Sequence, residues 1–229
     1  PIDIEYLSCE CRKYYSYVNG TKSFEGKNIF TPGASAQLVF DIPADAVPVA
    51  EEQTRIHVIA GGPCSGKTTL LRALAEEGFH VEEETAERVL AAGVARGQTA
   101  RELRADPVQW QQRILHEDHL LFENLPADST VFTDTSFLET VVFGARAGIA
   151  MGPNTDAWLR RKRYRHVFFL EPLKAYQSTA VRMESQQDAN QISEQVRAIY
   201  SEYGYTPVLV PAASVAERLA FIRSFVSDG

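Results

Sequence analysis

From residue 55 onward the chain alternates short apolar runs with longer amphipathic ones. Ile56-His57-Val58-Ile59-Ala60 reads as a buried strand, and residues 67–77 as a helix carrying Leu70, Leu71 and Leu74 on one face. Gly78 stops that helix, and Phe79-His80-Val81-Glu82 predicts a second strand. A helix is predicted over 84–95. Another runs over 107–123, opened by Asp106-Pro107, a capping carboxylate before a proline at the first helical position. Thr130-Val131-Phe132-Thr133 predicts a strand ending at Asp134, followed by a helix over 137–146. His166-Val167-Phe168-Phe169-Leu170 is a fourth strand, then come a helix over 187–203 and a fifth strand at Pro207-Val208-Leu209-Val210. Ser214-Val215-Ala216-Glu217 has the spacing of a capping box and opens the last helix. Strands that alternate with helices imply right-handed βαβ units, hence an α/β domain with a parallel five-stranded sheet and helices on both faces.

Residues 1–53 have a different rhythm. Ile2-Asp3-Ile4-Glu5-Tyr6-Leu7 alternates, as does part of 36–42, and Asn19-Gly20, Pro32-Gly33 and the 43–48 stretch supply turns. The expectation is a small β-rich N-terminal appendage over 1–53, joined by Glu51-Glu52-Gln53 to a main domain over 54–229.

Composition narrows the class. The chain has 229 residues, 45% of them hydrophobic, enough for one sizeable core. No apolar run approaches the ~20 residues of a membrane span. Three cysteines, Cys9, Cys11 and Cys64, form neither a disulfide framework nor a zinc set, which predicts reduced thiols in a cytoplasmic protein. A net charge of −7 argues against a nucleic-acid partner, because nucleic-acid phosphates would be repelled overall.

The chemistry centres on Gly61-Gly62-Pro63-Cys64-Ser65-Gly66-Lys67-Thr68-Thr69. It fits G-x-x-x-x-G-K-[ST] in full, and it lies between a predicted strand and a predicted helix, the context such a phosphate-binding loop (P-loop) requires. The glycines let backbone N–H groups turn toward phosphates, and the following helix adds its positive end. Lys67 reaches the β- and γ-phosphates, and the Thr68 hydroxyl is a ligand for Mg²⁺. A second magnesium group is needed, and Asp134 at the end of a neighbouring strand is the candidate; its alternative role is to cap the helix that follows.

The second strand delivers Glu82-Glu83-Glu84 and then Glu87-Arg88. A carboxylate there can take the proton of an acceptor hydroxyl. Glu84 is the preferred base among Glu82, Glu83, Glu84 and Glu87, and Arg88 is the candidate to orient the acceptor. Arg182, in a polar stretch after the fourth strand, is the candidate to meet charge developing on the γ-phosphoryl. Trp110, Phe137 and Phe143 are candidate walls of an acceptor pocket. The basic run 160–166 reads as a solvated helix end, with a phosphate contact as its alternative.

With these motifs in order, residues 55–226 resemble the AAA-type small ATPase family related to nicotinamide riboside kinase. The resemblance rests on the loop Gly61 to Leu70, Glu84-Thr85-Ala86-Glu87-Arg88, Asp106-Pro107 with Gln111-Gln112-Arg113-Ile114-Leu115, the strand Tyr164 to Leu170, Val181-Arg182-Met183-Glu184-Ser185, and Tyr203-Gly204-Tyr205 before Val208-Leu209-Val210-Pro211. Many members resemble one another in an Asp-Arg pair where this chain has Asp134-Thr135, which removes one basic group near the acceptor. Asp134-Thr135-Ser136-Phe137 is similar to an Asp-Thr-Asp-Phe stretch of nicotinamide riboside kinases. The resemblance implies a P-loop NTPase fold and leaves the substrate open.

The leading functional reading is a kinase that moves the γ-phosphoryl of ATP·Mg to a hydroxyl of a small, nucleoside-like metabolite. The alternative is an ATP- or GTP-binding switch with weak NTPase activity. The absence of an Asn-Lys-x-Asp motif favours ATP over GTP. Neither the acceptor nor the oligomeric state follows from the sequence.

Overall fold

The computed structural model describes residues 38–62, 65–126, 129–171 and 186–226. Its strands are β1 (Leu38–Phe40), β2 (Glu52–Gln53), β3 (Ile56–Ala60), β4 (His80–Glu82), β5 (Val131–Asp134), β6 (Ile149–Met151), β7 (Lys162–Arg163), β8 (His166–Leu170) and β9 (Val208–Val210). The α-helices are α1 (Lys67–Glu76), α2 (Thr85–Ala95), α3 (Ala100–Leu103), α4 (Pro107–Asn124), α5 (Phe137–Arg146), α6 (Pro153–Arg161), α7 (Gln186–Glu202) and α8 (Val215–Val226).

The five strands expected from the apolar runs form one parallel sheet, in the order β4-β5-β3-β8-β9. Its strands alternate between two cores, as the two-residue period of a strand demands. Ile59, Phe132, Phe168 and Val210 face Leu70, Leu71 and Leu74 of α1 and Ile222 of α8. Val58, Val131 and Phe169 are buried on the other side, where Leu115, Phe137, Leu138, Trp158, Val196 and Tyr200 supply helical side chains. Helices therefore cover both faces. Trp158 is fully buried and donates its Nε1–H to Glu123 at 2.6 Å, so the largest core side chain leaves no polar atom unpaired. The Asp106 carboxylate accepts from the N–H groups of Val108 and Gln109, an N-cap worth about 1 kcal/mol to α4.

Two small pairs lie outside the main sheet. β1 runs parallel to β6, and β2 runs parallel to β7. Phe40 and Ile42 sink into the same core as Ile56 and Phe137. Asp41 Oδ1 accepts from the Thr155 N–H at 2.8 Å and from its hydroxyl at 3.1 Å. Of residues 38–53, expected within the appendage, Phe40 and Ile42 thus enter the main core while 49–53 stay exposed; residues 1–37 lie outside the described residues.

The basic run has structural partners at the N-terminal edge of the sheet. Arg161 donates to the Pro48 carbonyl at 2.6 Å and Lys162 pairs with Glu52 at 3.2 Å. Arg163 donates to the Tyr203 carbonyl at 2.7 Å and lies over the Tyr205 ring at 3.8 Å. These groups tie the 38–53 segment and α7 to the domain. The phosphate loop leaves the opposite, C-terminal edge.

Candidate functional site

The loop between β3 and α1 is held in a shape that demands glycine. Gly61 has φ +142°, and a Cβ there would meet the Ser65 hydroxyl at 2.9 Å and the Leu170 carbonyl at 3.0 Å. Gly66, with φ +91°, turns the chain into α1. Lys67 donates to the Gly61 carbonyl at 3.0 Å and the Gly62 carbonyl at 3.4 Å, so its ammonium sits over the loop. Thr68 and Thr69 are exposed at the start of the helix, and Pro63 and Cys64 lie outside the described residues. The Ser65 hydroxyl is buried with no hydrogen-bond partner among the described residues.

β5 lies beside β3, with Asp134 opposite Ile59, which brings its carboxylate to the phosphate loop. The Thr68 hydroxyl donates to Asp134 Oδ2 at 3.5 Å, a long contact, and Asp134 Oδ1 is buried without a partner among the described residues. Burial pushes the Asp134 carboxyl above its ordinary value, and the Lys67 charge opposes that shift. A hydroxyl and a half-satisfied carboxylate fit a hard divalent cation that keeps most of its ligands from water and phosphate. The helix-cap alternative for Asp134 is taken by another residue: Ser136 is the N-cap of α5, its hydroxyl accepting from the Glu139 N–H. Between the two, Thr135 has φ +71°, an uncommon conformation for a β-branched residue.

A cavity of about 210 Å³ opens next to this corner. Glu84 at the start of α2, Trp110 and Asp118 of α4, and Thr135, Glu139 and Phe143 of β5–α5 line it. Of the four candidate bases only Glu84 does. Glu82 is paired with His80 at 2.8 Å, and Glu83 and Glu87 are exposed. Burial raises the Glu84 carboxyl, the Asp134 charge raises it further, and Lys67 opposes both. The Glu84 carboxyl and the Lys67 ammonium are therefore within electrostatic reach of each other.

The remaining sequence candidates separate. Trp110 lines the cavity under the Arg104 guanidinium, 5.5 Å from its ring. Arg88 does not line it and instead donates to Thr85 Oγ1 at 3.1 Å. Phe137 is fully buried, packed edge-on against Phe40 and Trp158 in the core, and does not line this cavity. Its position at the first turn of α5 faces the sheet, and Phe143 reaches the cavity instead. Arg182 lies outside the described residues.

Two cavity carboxyls were not foreseen. Asp118 is buried, hydrogen-bonded to Thr140, and pushed up to about 6 by burial. Glu139, 2% exposed, accepts from the Tyr200 hydroxyl at 2.6 Å, and burial pushes it up to about 8. The one signal in sequence was a lone carboxylate on an otherwise apolar helix face, as Glu139 is between Phe137-Leu138 and Val141-Val142.

A parallel sheet with a phosphate loop after its central strand defines a P-loop α/β domain. The chain belongs to the AAA domain family, whose model matches residues 56–218. Among solved structures it is similar to NadR in complex with NR, at 20% identity and a TM-score of 0.53 over 76% of this chain and 51% of that one. It thus spans about half the length of that protein. It is also similar to deoxyadenosine kinase from M. mycoides with bound dATP, at 13% identity and a TM-score of 0.50 over 75% and 99% of the two chains. The same kinase with its products dCMP and dCDP gives 13% identity and 0.51 over 76% and 98%. At these identities the likeness is one of fold. No curated protein matches the chain. Among the described residues, no helix is long and apolar enough to cross a membrane.

Proposed function

We propose that the protein is a small-molecule kinase that transfers the γ-phosphoryl of ATP·Mg to a hydroxyl of a metabolite held in the cavity beside the phosphate loop. The observation that carries this reading is the position of Glu84. It lines a half-open, partly aromatic cavity and lies within electrostatic reach of Lys67 and Asp134. A switch protein has no need of such a cavity at its γ-phosphate corner. The fold shared with NadR bound to NR and with deoxyadenosine kinase supports the same reading.

In this proposal the loop amides and Lys67 bind the β- and γ-phosphates, and Thr68 and Asp134 would hold magnesium, which would supply positive charge to offset the phosphates. Trp110 and Phe143 give a planar part of the acceptor two apolar walls, and Glu84 accepts a hydrogen bond from its hydroxyl. As that oxygen bonds to the γ-phosphorus, the bridging bond to ADP breaks and the hydroxyl proton passes to Glu84. Positioning and electrostatics carry most of the rate, since the transition state is loose. A screen of a metabolite pool for an ATP-dependent gain of one phosphoryl group tests the reading.

A further inference from the structure

Arg218 is 3% exposed, yet its hydrogen bonds go to backbone carbonyls, with the Glu171 charge within electrostatic reach but outside ion-pair distance. It lies in the first turn of α8. Its Nε donates to the Pro211 carbonyl at 2.9 Å, Nη1 to the Ser65 carbonyl at 2.6 Å, and Nη2 to the Glu171 carbonyl at 2.9 Å. The three acceptors belong to three segments at the C-terminal edge of the sheet: the residue after β9, the phosphate loop after β3, and the residue after β8. The Glu171 N–H, bonded to the Val210 carbonyl at 3.0 Å, ties the two flanking segments together. Among the described residues, no carboxylate lies within ion-pair distance of Arg218.

A buried cation is expensive, and it persists only where its donors are met and its charge has a use. Here all three sides of the planar fork are used, a geometry that an ammonium cannot reproduce. A trans peptide holds its C=O and N–H on opposite sides, so gripping the Ser65 carbonyl directs the Gly66 N–H away from Arg218. Gly66 is the left-handed residue that turns the loop into α1.

We infer that Arg218 is a positioning residue of the phosphate site: its grip on the Ser65 carbonyl sets the Ser65–Gly66 peptide, and its charge backs the loop that a polyphosphate meets. This rests on the nucleotide-binding reading of the loop. It assigns to α8, far along the sequence from the P-loop motif, a direct part in shaping that loop. Arg218 touches no phosphate in this role.

The test compares wild type, Arg218→Lys and Arg218→Met. ATP·Mg affinity is measured by calorimetry well below each melting temperature, and backbone hydrogen exchange is followed without nucleotide. Arg218→Met is expected to weaken ATP·Mg by about tenfold or more, with Arg218→Lys between it and wild type. Amides 65–68 should exchange faster in both variants while those of β3 keep their protection. Should Arg218→Met fail to fold, the lysine variant decides by the same two readouts. Affinity within about twofold of wild type in the folded variants, whatever their melting temperatures, overturns the inference and leaves Arg218 as a staple of the fold. Wild type that binds no ATP·Mg sinks the nucleotide reading itself, and the inference with it.

Discussion

The Thr68 hydroxyl and Asp134 Oδ2 face each other at 3.5 Å, while Asp134 Oδ1 is buried with no partner among the described residues. The arrangement leaves a carboxylate desolvated and under-satisfied at the end of β5. Protein stability alone does not favour that, because an unpaired buried polar atom carries its full desolvation cost. A cation shared with the Thr68 hydroxyl would satisfy it.

Asp134→Asn therefore separates stability from function. The amide can still accept from Thr68 and loses the buried charge, so the nucleotide-free protein should be as stable as wild type, or more stable by about 1 kcal/mol. Mg²⁺-dependent turnover should collapse. Thermal unfolding and a steady-state assay read the two effects, and retained turnover would remove Asp134 from the metal site.

Lys67→Ala removes the ammonium that now rests on the Gly61 and Gly62 carbonyls. Lys67 itself is only partly buried, so the fold should survive. ATP·Mg affinity should fall at least about tenfold, the scale of a charge-assisted phosphate contact. Calorimetric titration checks this, and equal affinities would dismiss the phosphate site.

Glu84→Gln should keep ATP·Mg binding, because the residue lines the cavity across from the loop. Transfer to the acceptor should fall by about 10²-fold or more, the lower end of a general-base contribution. Background ATP hydrolysis should fall less, since water needs no oriented acceptor. Equal losses in both reactions would make Glu84 a part of the nucleotide site instead.

Glu139 makes stability depend on pH. Its folded carboxyl is raised from 4.5 to about 8, chiefly by burial, so the folded state holds a proton that the unfolded chain releases. The contribution is fully present below pH 4.5 and is lost as pH rises through about 8. At about 1.4 kcal/mol per pH unit, the Glu139 contribution alone should fall by roughly 2 kcal/mol between pH 6.5 and 8.5. Asp118, raised to about 6, titrates mainly below this window, while His57 and His119, lowered by burial from 6.5 to about 4, add a few tenths of a kcal/mol each as the unfolded imidazoles finish releasing protons, in wild type and mutant alike. Glu139→Gln should flatten the decline. Denaturant unfolding at the two pH values measures it, and an unchanged slope in the mutant would clear Glu139 of the effect.

The sheet and its loop were legible because their signals are local. Ile56-His57-Val58-Ile59-Ala60 is an apolar run, Gly61 and Gly66 are fixed by backbone shape, and Ser214 with Glu217 caps α8 within four residues. What escaped the sequence depends on distant pairing. β1 finds β6 more than a hundred residues away and is three residues long, too short to show a period. Arg218 reads as a surface cation in its helix until Ser65 and Glu171 are brought beside it. Phe137 and Phe143 are both aromatic and six residues apart on α5. Only the packing of that helix decides that Phe137 points into the core and Phe143 to the cavity.

Transfer of phosphoryl from ATP to a metabolite hydroxyl in the Glu84 cavity leaves a product that can be weighed. The most direct measurement is mass spectrometry of a metabolite pool incubated with ATP·Mg and wild-type protein, with ADP counted in parallel. One class of small molecule should gain a single phosphoryl group in step with ADP, a gain absent in Lys67→Ala and strongly reduced in Glu84→Gln. No phosphorylated metabolite in the wild type, together with nucleotide-dependent binding to a protein partner, would contradict it and make the protein a switch.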